Sequence, residues 1–190
     1  MKVSPTEIAG VVLIEPRVFR DDRGYFLESW SEAAFGAAGL PSVFRQDNLS
    51  LSRVGVLRGL HYQFPTAQGK LVSVVRGEVF DVAVDIRVGS PTFGHWVGAT
   101  LSAENGHQLY IPEGFAHGFQ VVGTEPASFA YKCTTGYDPA GQCSIRWDDP
   151  DLGIAWPLAP TGLAPKDAEA PRLRNVPPDR LPRFEPVATP

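Results

Sequence analysis

The stretch that decides the fold class covers residues 71–88 and reads LVSVVRGEVFDVAVDIRV. In its second half, apolar residues alternate with polar or small ones, which is the period of a strand with one apolar face. This apolar set consists of Phe80, Val82, Val84 and Ile86. Gly77 lies at the centre of a short polar break between two such runs. The pattern therefore predicts two strands, residues 71–75 and 79–86, paired as a hairpin with the second strand half buried.

Further strands extend outward from this region on both sides, bounded by Gly, Pro, Asn or Asp. They are predicted over residues 8–14, 24–30, 55–62, 96–101, 108–111, 116–122, 128–134 and 144–146. One short helix is predicted over residues 31–38, because Ser31 suits its N-cap and Gly39 its C-terminal end. Many short strands without alternating long helices argue against a parallel βαβ fold. They favour an all-β sandwich or jelly-roll barrel.

The length of 190 residues is that of one domain with a substantial core. We expect residues 1–170 to form this domain. From Pro171 onward the chain contains six prolines, so residues 171–190 are predicted to be an extended, Pro-rich tail.

Composition excludes several classes of protein. The net charge of -4 argues against a general affinity for nucleic acid or anionic membranes. No apolar run approaches the roughly 20 residues needed to span a bilayer. The first ten residues, MKVSPTEIAG, lack the apolar core of a signal peptide, which predicts a cytoplasmic protein. In that compartment Cys133 and Cys143 are expected to be free thiols.

Two histidine clusters have glycines at fixed offsets. Residues 106–117 read GHQLYIPEGFAH, which matches the second cupin motif, G-x5-P-x-G-x2-H, through His117. The Asn that closes this motif is replaced by Val121. The spacing from Gly55 to His61 matches the start of the first cupin motif. These matches narrow the prediction to a cupin-type jelly roll.

The metal ligands of a cupin are incomplete in this chain. Gln63 stands where the first motif has its second His, and no Glu follows at ligand spacing. A catalytic metal needs about three protein ligands. We therefore predict a metal-free site, with His61 and His117 facing the cavity. A single core histidine usually only hydrogen-bonds in place. Two histidines at matching motif positions favour a functional role.

Arg58 lies three residues before His61, so a regular strand would place the two side chains on opposite faces. A bulge at Gly59, which has no side chain to resist it, would turn both toward the cavity. The guanidinium fork of Arg58 suits an anionic group such as phosphate.

Three other residues have ordinary roles when each is considered alone. Lys70 begins the strand at 71–75 and is either a cavity cation or an edge lysine, with the edge role favoured. Tyr131 is a strand tyrosine of the kind that mostly packs. Asp167 lies in a polar loop, where exposure is the usual state.

Taken together, the motifs resemble one family, the dTDP-4-dehydrorhamnose 3,5-epimerases of deoxysugar biosynthesis. The likeness covers about residues 5–171, with its segments in family order. The matching segments are residues 19–28, 46–48, 56–61, 68–70, 77–87, 90–94, 111–119, 131–132, 147–150, 153–157 and 166–167.

The resemblance implies a jelly-roll homodimer without metal or nicotinamide, acting on a dTDP-linked 4-keto-6-deoxyhexose. By motif, His61 is expected to be the general base, Asp167 its orienting partner and Tyr131 the acid on the opposite ring face. Lys70 and His117 resemble groups around the developing enolate. Positions that match substrate-binding residues are Arg23, Glu28, Gln46, Asp47, Asn48, Arg58, His117, Gln142 and Lys166.

Two departures concern nucleotide recognition. Gly136-Tyr137 stands where the family often has an aromatic pair before Asp138, and Gln142 occupies a position often held by Glu. One stacking surface for the nucleotide base is therefore expected to be lost.

Three alternatives stay open on the sequence. The chain could bind a sugar nucleotide without catalysis, or act as a metal-dependent cupin, which the missing ligands disfavour. It could also invert only C3 or only C5, because that difference depends on how the sugar ring is held.

Overall fold

The computed structural model describes residues 1–185, which form thirteen strands and two short helices. The strands are β1 Lys2–Pro5, β2 Val12–Glu15, β3 Val18–Asp21, β4 Gly24–Leu27, β5 Gln46–Ser52, β6 Leu57–Gln63, β7 Lys70–Arg76, β8 Glu78–Asp85, β9 Trp96–Ser102, β10 Gln108–Ile111, β11 Phe115–Val121, β12 Ala127–Cys133 and β13 Gln142–Ser144. The helices are α1 Glu32–Ala37 and α2 Pro165–Ala168, and two 3-10 turns follow at Leu173–Asn175 and Pro178–Arg180.

Two antiparallel sheets carry the fold. The six-stranded sheet has the order β1-β2-β10-β7-β12-β5, and the five-stranded sheet has the order β13-β6-β11-β8-β9. Strands β3 and β4 form a separate hairpin. Within residues 1–185 the pairing does not join the two sheets into one closed barrel. The predicted all-β, cupin-type fold is confirmed.

The main core lies between the two sheets. Val72 and Phe129 from the six-stranded sheet pack with Ala83, Phe119 and Val121 from the five-stranded sheet. The rings of Phe119 and Phe129 stack with centroids 4.1 Å apart. This apolar region closes one end of the space between the sheets and leaves the polar residues described below at the other.

The predicted hairpin of residues 71–75 and 79–86 is wrong. Strand β7 pairs with β10 and β12, whereas β8 pairs with β9 and β11 in the other sheet. Gly77 alone separates β7 from β8, with φ of +74°, and a Cβ there would lie 2.8 Å from the Pro126 carbonyl oxygen. A glycine in this conformation turns the chain sharply from one sheet into the other.

Strand β8 is also buried on both faces rather than half buried. Its alternating apolar residues, represented by Val82 and Val84, face away from the space between the sheets and join a second core. That second core is closed by Leu173, Val176 and Leu181. Residues 171–185 therefore pack on the outer face of the five-stranded sheet. The domain boundary at residue 170 stays a prediction, and residues 186–190 lie outside the described part of the chain.

The predicted helix is confirmed as α1. The Ser31 hydroxyl accepts a hydrogen bond from the Ala34 amide at 3.3 Å, as an N-cap does. Phe35 packs with Ile14 and Tyr110 on the outer face of the six-stranded sheet. The predicted strand at residues 8–14 is shorter than expected, because its first half is a turn and β2 begins at Val12. Strands β1, β3 and β5 were not predicted; β5 is largely polar, so its pattern is weak.

Cys133 and Cys143 are both free thiols, as expected. None of the helices in residues 1–185 is long and apolar enough to cross a membrane.

Candidate active site

A polar cavity opens between the two sheets. It consists of an outer part of about 370 Å³ and an adjoining inner part of about 220 Å³. Five residues border both parts: His61, Lys70, Tyr131, Gln142 and Lys166. The outer part is also lined by Gln46, Asn48, Tyr62, Gln63, Gln68, Cys133 and Tyr137, and the inner part by Ser50, Arg58, His117, Phe119 and Phe129.

The predicted bulge at Gly59 is confirmed. The pairing of β6 with β11 shifts register between the partners of His61 and Arg58, which both border the inner cavity. Gly59 has φ of +132°, and a Cβ there would lie 2.5 Å from the Gly118 Cα. Strands β6 and β11 can approach each other this closely only because residues 59 and 118 are both glycine.

Asp167 lies against the far side of the His61 ring. Its Oδ1 is 2.7 Å from His61 Nε2, and its Oδ2 accepts a hydrogen bond from the Gly59 amide at 3.3 Å. The Asp167 side chain is 1% exposed, so the exposure expected from its loop alone is wrong. Burial of the carboxyl raises its pKa, but the hydrogen bonds of His61 and Gly59 and the His61 charge outweigh burial and lower the pKa of Asp167. Because Nε2 contacts Asp167, Nδ1 is the His61 ring nitrogen that is left to face the cavity.

A second histidine–aspartate pair lies beside the first. His117 is the cross-strand partner of His61, and its Nε2 is 2.8 Å from Asp81 Oδ2. Burial lowers the pKa of His117 and raises the pKa of Asp81, although each partner opposes the shift of the other. Sequence reasoning missed Asp81, because the alternation of β8 assigned it to the polar face.

Lys70 and Tyr131 enter the cavity from the opposite sheet. Strand β7 lies between β10 and β12, so the edge position favoured for Lys70 is wrong. Burial lowers the pKa of Lys70, and the charges of Cys133 and Asp81 only partly compensate. Burial likewise raises the pKa of Tyr131. The cavity thus has two histidine–aspartate pairs on one wall and an amine and a phenol on the other.

A family model described as dTDP-4-dehydrorhamnose 3,5-epimerase matches residues 5–175. The chain belongs to this family. It is 58% identical over 159 residues to the dTDP-4-dehydrorhamnose 3,5-epimerase of Pseudomonas aeruginosa, covering 83% of this chain and 87% of the relative.

Solved structures agree with the family assignment. The 3,5-epimerase of Legionella pneumophila in complex with dTDP-4-keto-L-rhamnose has a TM-score of 0.93 and 52% identity, covering 97% of this chain and 98% of that one. A 3'-monoepimerase from Streptomyces bikiniensis in complex with dTDP-quinovose has a TM-score of 0.86 and 37% identity, covering 94% of this chain and 92% of that one.

In this member of the family, amide side chains line the cavity mouth. The Tyr137 amide donates a hydrogen bond to Gln46 Oε1 at 2.7 Å, and Gln46 Nε2 donates to Asn48 Oδ1 at 2.9 Å. The Tyr137 hydroxyl donates to Gln142 Oε1 at 2.7 Å. Tyr137 therefore connects the two sides of the mouth, a role that its sequence position did not reveal.

Gln63 has a structural task in place of the missing cupin ligand. Its Oε1 accepts a hydrogen bond from the Asp138 amide at 2.8 Å, and its Nε2 donates to the carbonyl oxygens of Thr66 and Gly136. It thereby holds the loop that carries Tyr137. Within residues 1–185 no three His, Cys, Asp or Glu side chains are grouped as metal ligands would be.

Three predicted substrate-binding residues do not line either part of the cavity. Asp47 points away from it and pairs with Lys132 on the outer face at 2.9 Å, because alternation along β5 turns Gln46 and Asn48 inward instead. Arg23 pairs with Asp21 on the exposed hairpin, and Glu28 accepts a hydrogen bond from Ser31. Within one chain, the geometry does not support contact of these three with the His61 site.

Proposed function

We propose that this protein is an isomerase that inverts C3 and C5 of dTDP-4-dehydro-6-deoxy-D-glucose and forms dTDP-4-dehydro-L-rhamnose. Family membership supports the reaction. The main structural support for this chemistry is the contact between His61 and Asp167 on one wall of the cavity. Tyr131 lies on the opposite wall.

His61 is the general base in this proposal. Protons α to the C4 ketone become removable when the resulting enolate is stabilised. A neutral imidazole works well as a base near pH 7. The buried Asp167 carboxylate supports this role, because it fixes the ring tautomer and stabilises the imidazolium that forms.

Lys70 stabilises the enolate oxygen, and His117 lies beside it in this proposal. Lys70 borders both parts of the cavity from the six-stranded sheet, and His117 borders the inner part from the five-stranded sheet. A positive group in a site with little water interacts strongly with a developing negative charge.

Tyr131 returns a proton to the opposite face of the sugar ring. Inversion requires this second group, because the base removes the proton from one face only. The phenol of Tyr131 is protonated at neutral pH and therefore has a proton to give, although burial raises its pKa and makes it a weaker acid.

The nucleotide part of the substrate binds toward the mouth. Lys166, which borders both parts of the cavity, and Arg58, which borders the inner part, supply positive charge for the diphosphate. Gln46, Asn48 and Gln142 supply amide donors and acceptors for the remaining polar groups.

The reaction needs no metal or nicotinamide. Within residues 1–185, His61 and His117 are not joined by a third His, Cys, Asp or Glu at metal-ligand distance, and a catalytic metal needs about three protein ligands. Proton removal and return require only the side chains described above.

We also propose a homodimer. The outer face of the six-stranded sheet carries Leu49 at 70% exposure and Leu51 at 64%, an apolar surface that a second copy would cover. The exposed hairpin that bears Arg23 projects from the same chain. Arg23 and Glu28 match substrate-binding positions of the family, yet they lie outside the cavity of their own chain. Contact with the cavity of the partner subunit would explain that match.

We also propose a cytoplasmic location, which fits the free thiols.

Proton NMR in deuterated water tests the function. Incubation with dTDP-4-dehydro-6-deoxy-D-glucose should show deuterium entering at both C3 and C5, with the L-rhamno product accumulating. Exchange and inversion at one carbon only would favour a single-site epimerase, the activity named for the Streptomyces bikiniensis neighbour. Substrate binding without any deuterium exchange would indicate a sugar-nucleotide-binding protein that has no catalytic activity.

A further inference from the structure

The Asp81–His117 pair contains an unusual polar atom. Asp81 Oδ2 contacts His117 Nε2 at 2.8 Å, whereas Asp81 Oδ1 is fully buried and has no hydrogen-bond partner among residues 1–185. Buried carboxylate oxygens are normally satisfied, so an unpartnered one calls for an explanation from its surroundings.

The surroundings hold the His117 ring in one orientation. Its plane stacks on Phe129 with centroids 5.9 Å apart, and the side chain is buried between the two sheets. With Nε2 engaged by Asp81, Nδ1 is the ring nitrogen left for the inner cavity that His117 borders. A hydrogen bond at one imidazole nitrogen decides which proton the other carries.

The second neighbour that responds to Asp81 is Lys70. The Asp81 charge favours protonation of Lys70, against the desolvation that disfavours it, and Lys70 in turn favours the Asp81 anion. Lys70 has no carboxylate within salt-bridge distance among residues 1–185. Asp81 makes no ion pair with Lys70, so its direct contact with the site is the one to His117 Nε2 at 2.8 Å.

We propose that Asp81 is a positioning residue that fixes His117 with Nδ1 toward the substrate. It touches no substrate itself. The proposal rests on the proposed epimerase function and extends it by one residue that acts through His117.

The test is Asp81→Asn, which keeps the shape and one acceptor oxygen but removes the charge. We expect kcat to fall about 10- to 100-fold, the loss seen when a metal-binding histidine loses the carboxylate behind its ring. KM should change little, because the nucleotide contacts lie elsewhere. An unchanged kcat would overturn the proposal.

A double-mutant cycle separates positioning from a purely structural role. If Asp81 acts largely through His117, then Asp81→Asn should cost much less in a His117→Asn background than in wild type. Fully multiplying losses would contradict this. The matched control is Asp85→Asn on the same strand: Asp85 is equally buried but bonds to Arg87, Ser90 and Thr92. Those molecules of the Asp85→Asn variant that fold should have the kcat of the wild type.

A measurement on the wild type covers the case in which Asp81→Asn fails to fold. Nitrogen-15 NMR of the histidine rings should show His117 Nε2 in a strong hydrogen bond and a single ring orientation. A freely exchanging Nε2 would overturn the proposal. Absence of turnover by the wild type would instead refute the proposed function, so the two failures are distinguishable.

Discussion

Oδ1 of Asp167 lies 2.7 Å from Nε2 of His61, although the residues are 106 positions apart in the chain. Two backbone anchors hold α2 in this place. Before the helix, the Leu57 amide donates a hydrogen bond to the Gly162 carbonyl, and after it the Arg146 amide donates to the Pro171 carbonyl. The carboxylate is thereby fixed behind the imidazole before any substrate binds.

Asp167→Asn should lower kcat by about 10²–10⁴-fold, because the amide no longer stabilises the imidazolium and can select the wrong tautomer. Nucleotide affinity should stay near that of the wild type. Steady-state kinetics and calorimetric titration with dTDP would measure the two quantities. Wild-type turnover in this variant would contradict the role.

Asp149→Asn is the matched control for Asp167. Asp149 is as deeply buried, but its carboxylate accepts hydrogen bonds from the backbone amides of Leu173 and Asp151, away from the cavity. We expect lower stability and unchanged kcat per folded molecule.

His61→Ala should stop both inversion and solvent exchange at C3 and C5, because no other group is proposed to remove the α proton. Deuterium incorporation followed by NMR checks this. Exchange at the wild-type rate would mean that another side chain is the base.

Tyr131→Phe should behave differently. The enolate still forms, so deuterium exchange should persist while inversion falls by about 10²–10⁴-fold. Phe keeps the ring that packs near Phe129, so the cavity should keep its shape. Equal losses of exchange and inversion would place Tyr131 before or during enolisation.

The alkaline limb of kcat/KM should be controlled by Lys70. Burial lowers the pKa of Lys70 below 10.5, whereas burial raises the pKa of Tyr131 and of Cys133. Since the protonated amine is the active form, activity is lost as the pH rises through this lowered pKa. Lys70→Arg, whose guanidinium stays charged, should move the limb to higher pH even if its maximal rate is lower. If the decline of kcat/KM at high pH does not move in Lys70→Arg, a group other than Lys70 controls it.

Chelators should leave activity unchanged, and metal analysis of the purified protein should find no stoichiometric zinc, iron or nickel. The reason is that, in the part of the chain that the structure describes, no three His, Cys, Asp or Glu side chains are grouped as metal ligands. Activity abolished by a chelator and restored by metal would reject the metal-free mechanism.

Leu49→Asp combined with Leu51→Asp should convert a dimer into a monomer, because two charges would be buried at the proposed interface. Light scattering should show the mass fall from twice 20.6 kDa to 20.6 kDa. Leu158→Asp, at another exposed apolar position, is the control and should leave the mass unchanged. A wild-type monomer would contradict the proposed dimer.

Sequence patterns predicted the features that depend on local chemistry. The period-two alternation identified β8, Ser31 identified the start of α1, and the spacing to His61 and His117 identified the cupin-type fold. The bulge at Gly59 also followed from the three-residue separation of Arg58 and His61. Each of these signals is contained within about a dozen neighbouring residues.

The pairing of strands and the role of each face were decided only by the tertiary structure. The alternation along β8 distinguishes an apolar face from a polar face. Because both faces are buried, hydropathy alone does not predict which of them borders the cavity. The C-terminal residues around Leu173 cover the apolar face, and this leaves Asp81 pointing inward against His117. Contacts between distant segments determine these choices, because a strand's faces acquire their environment only when other layers pack on them.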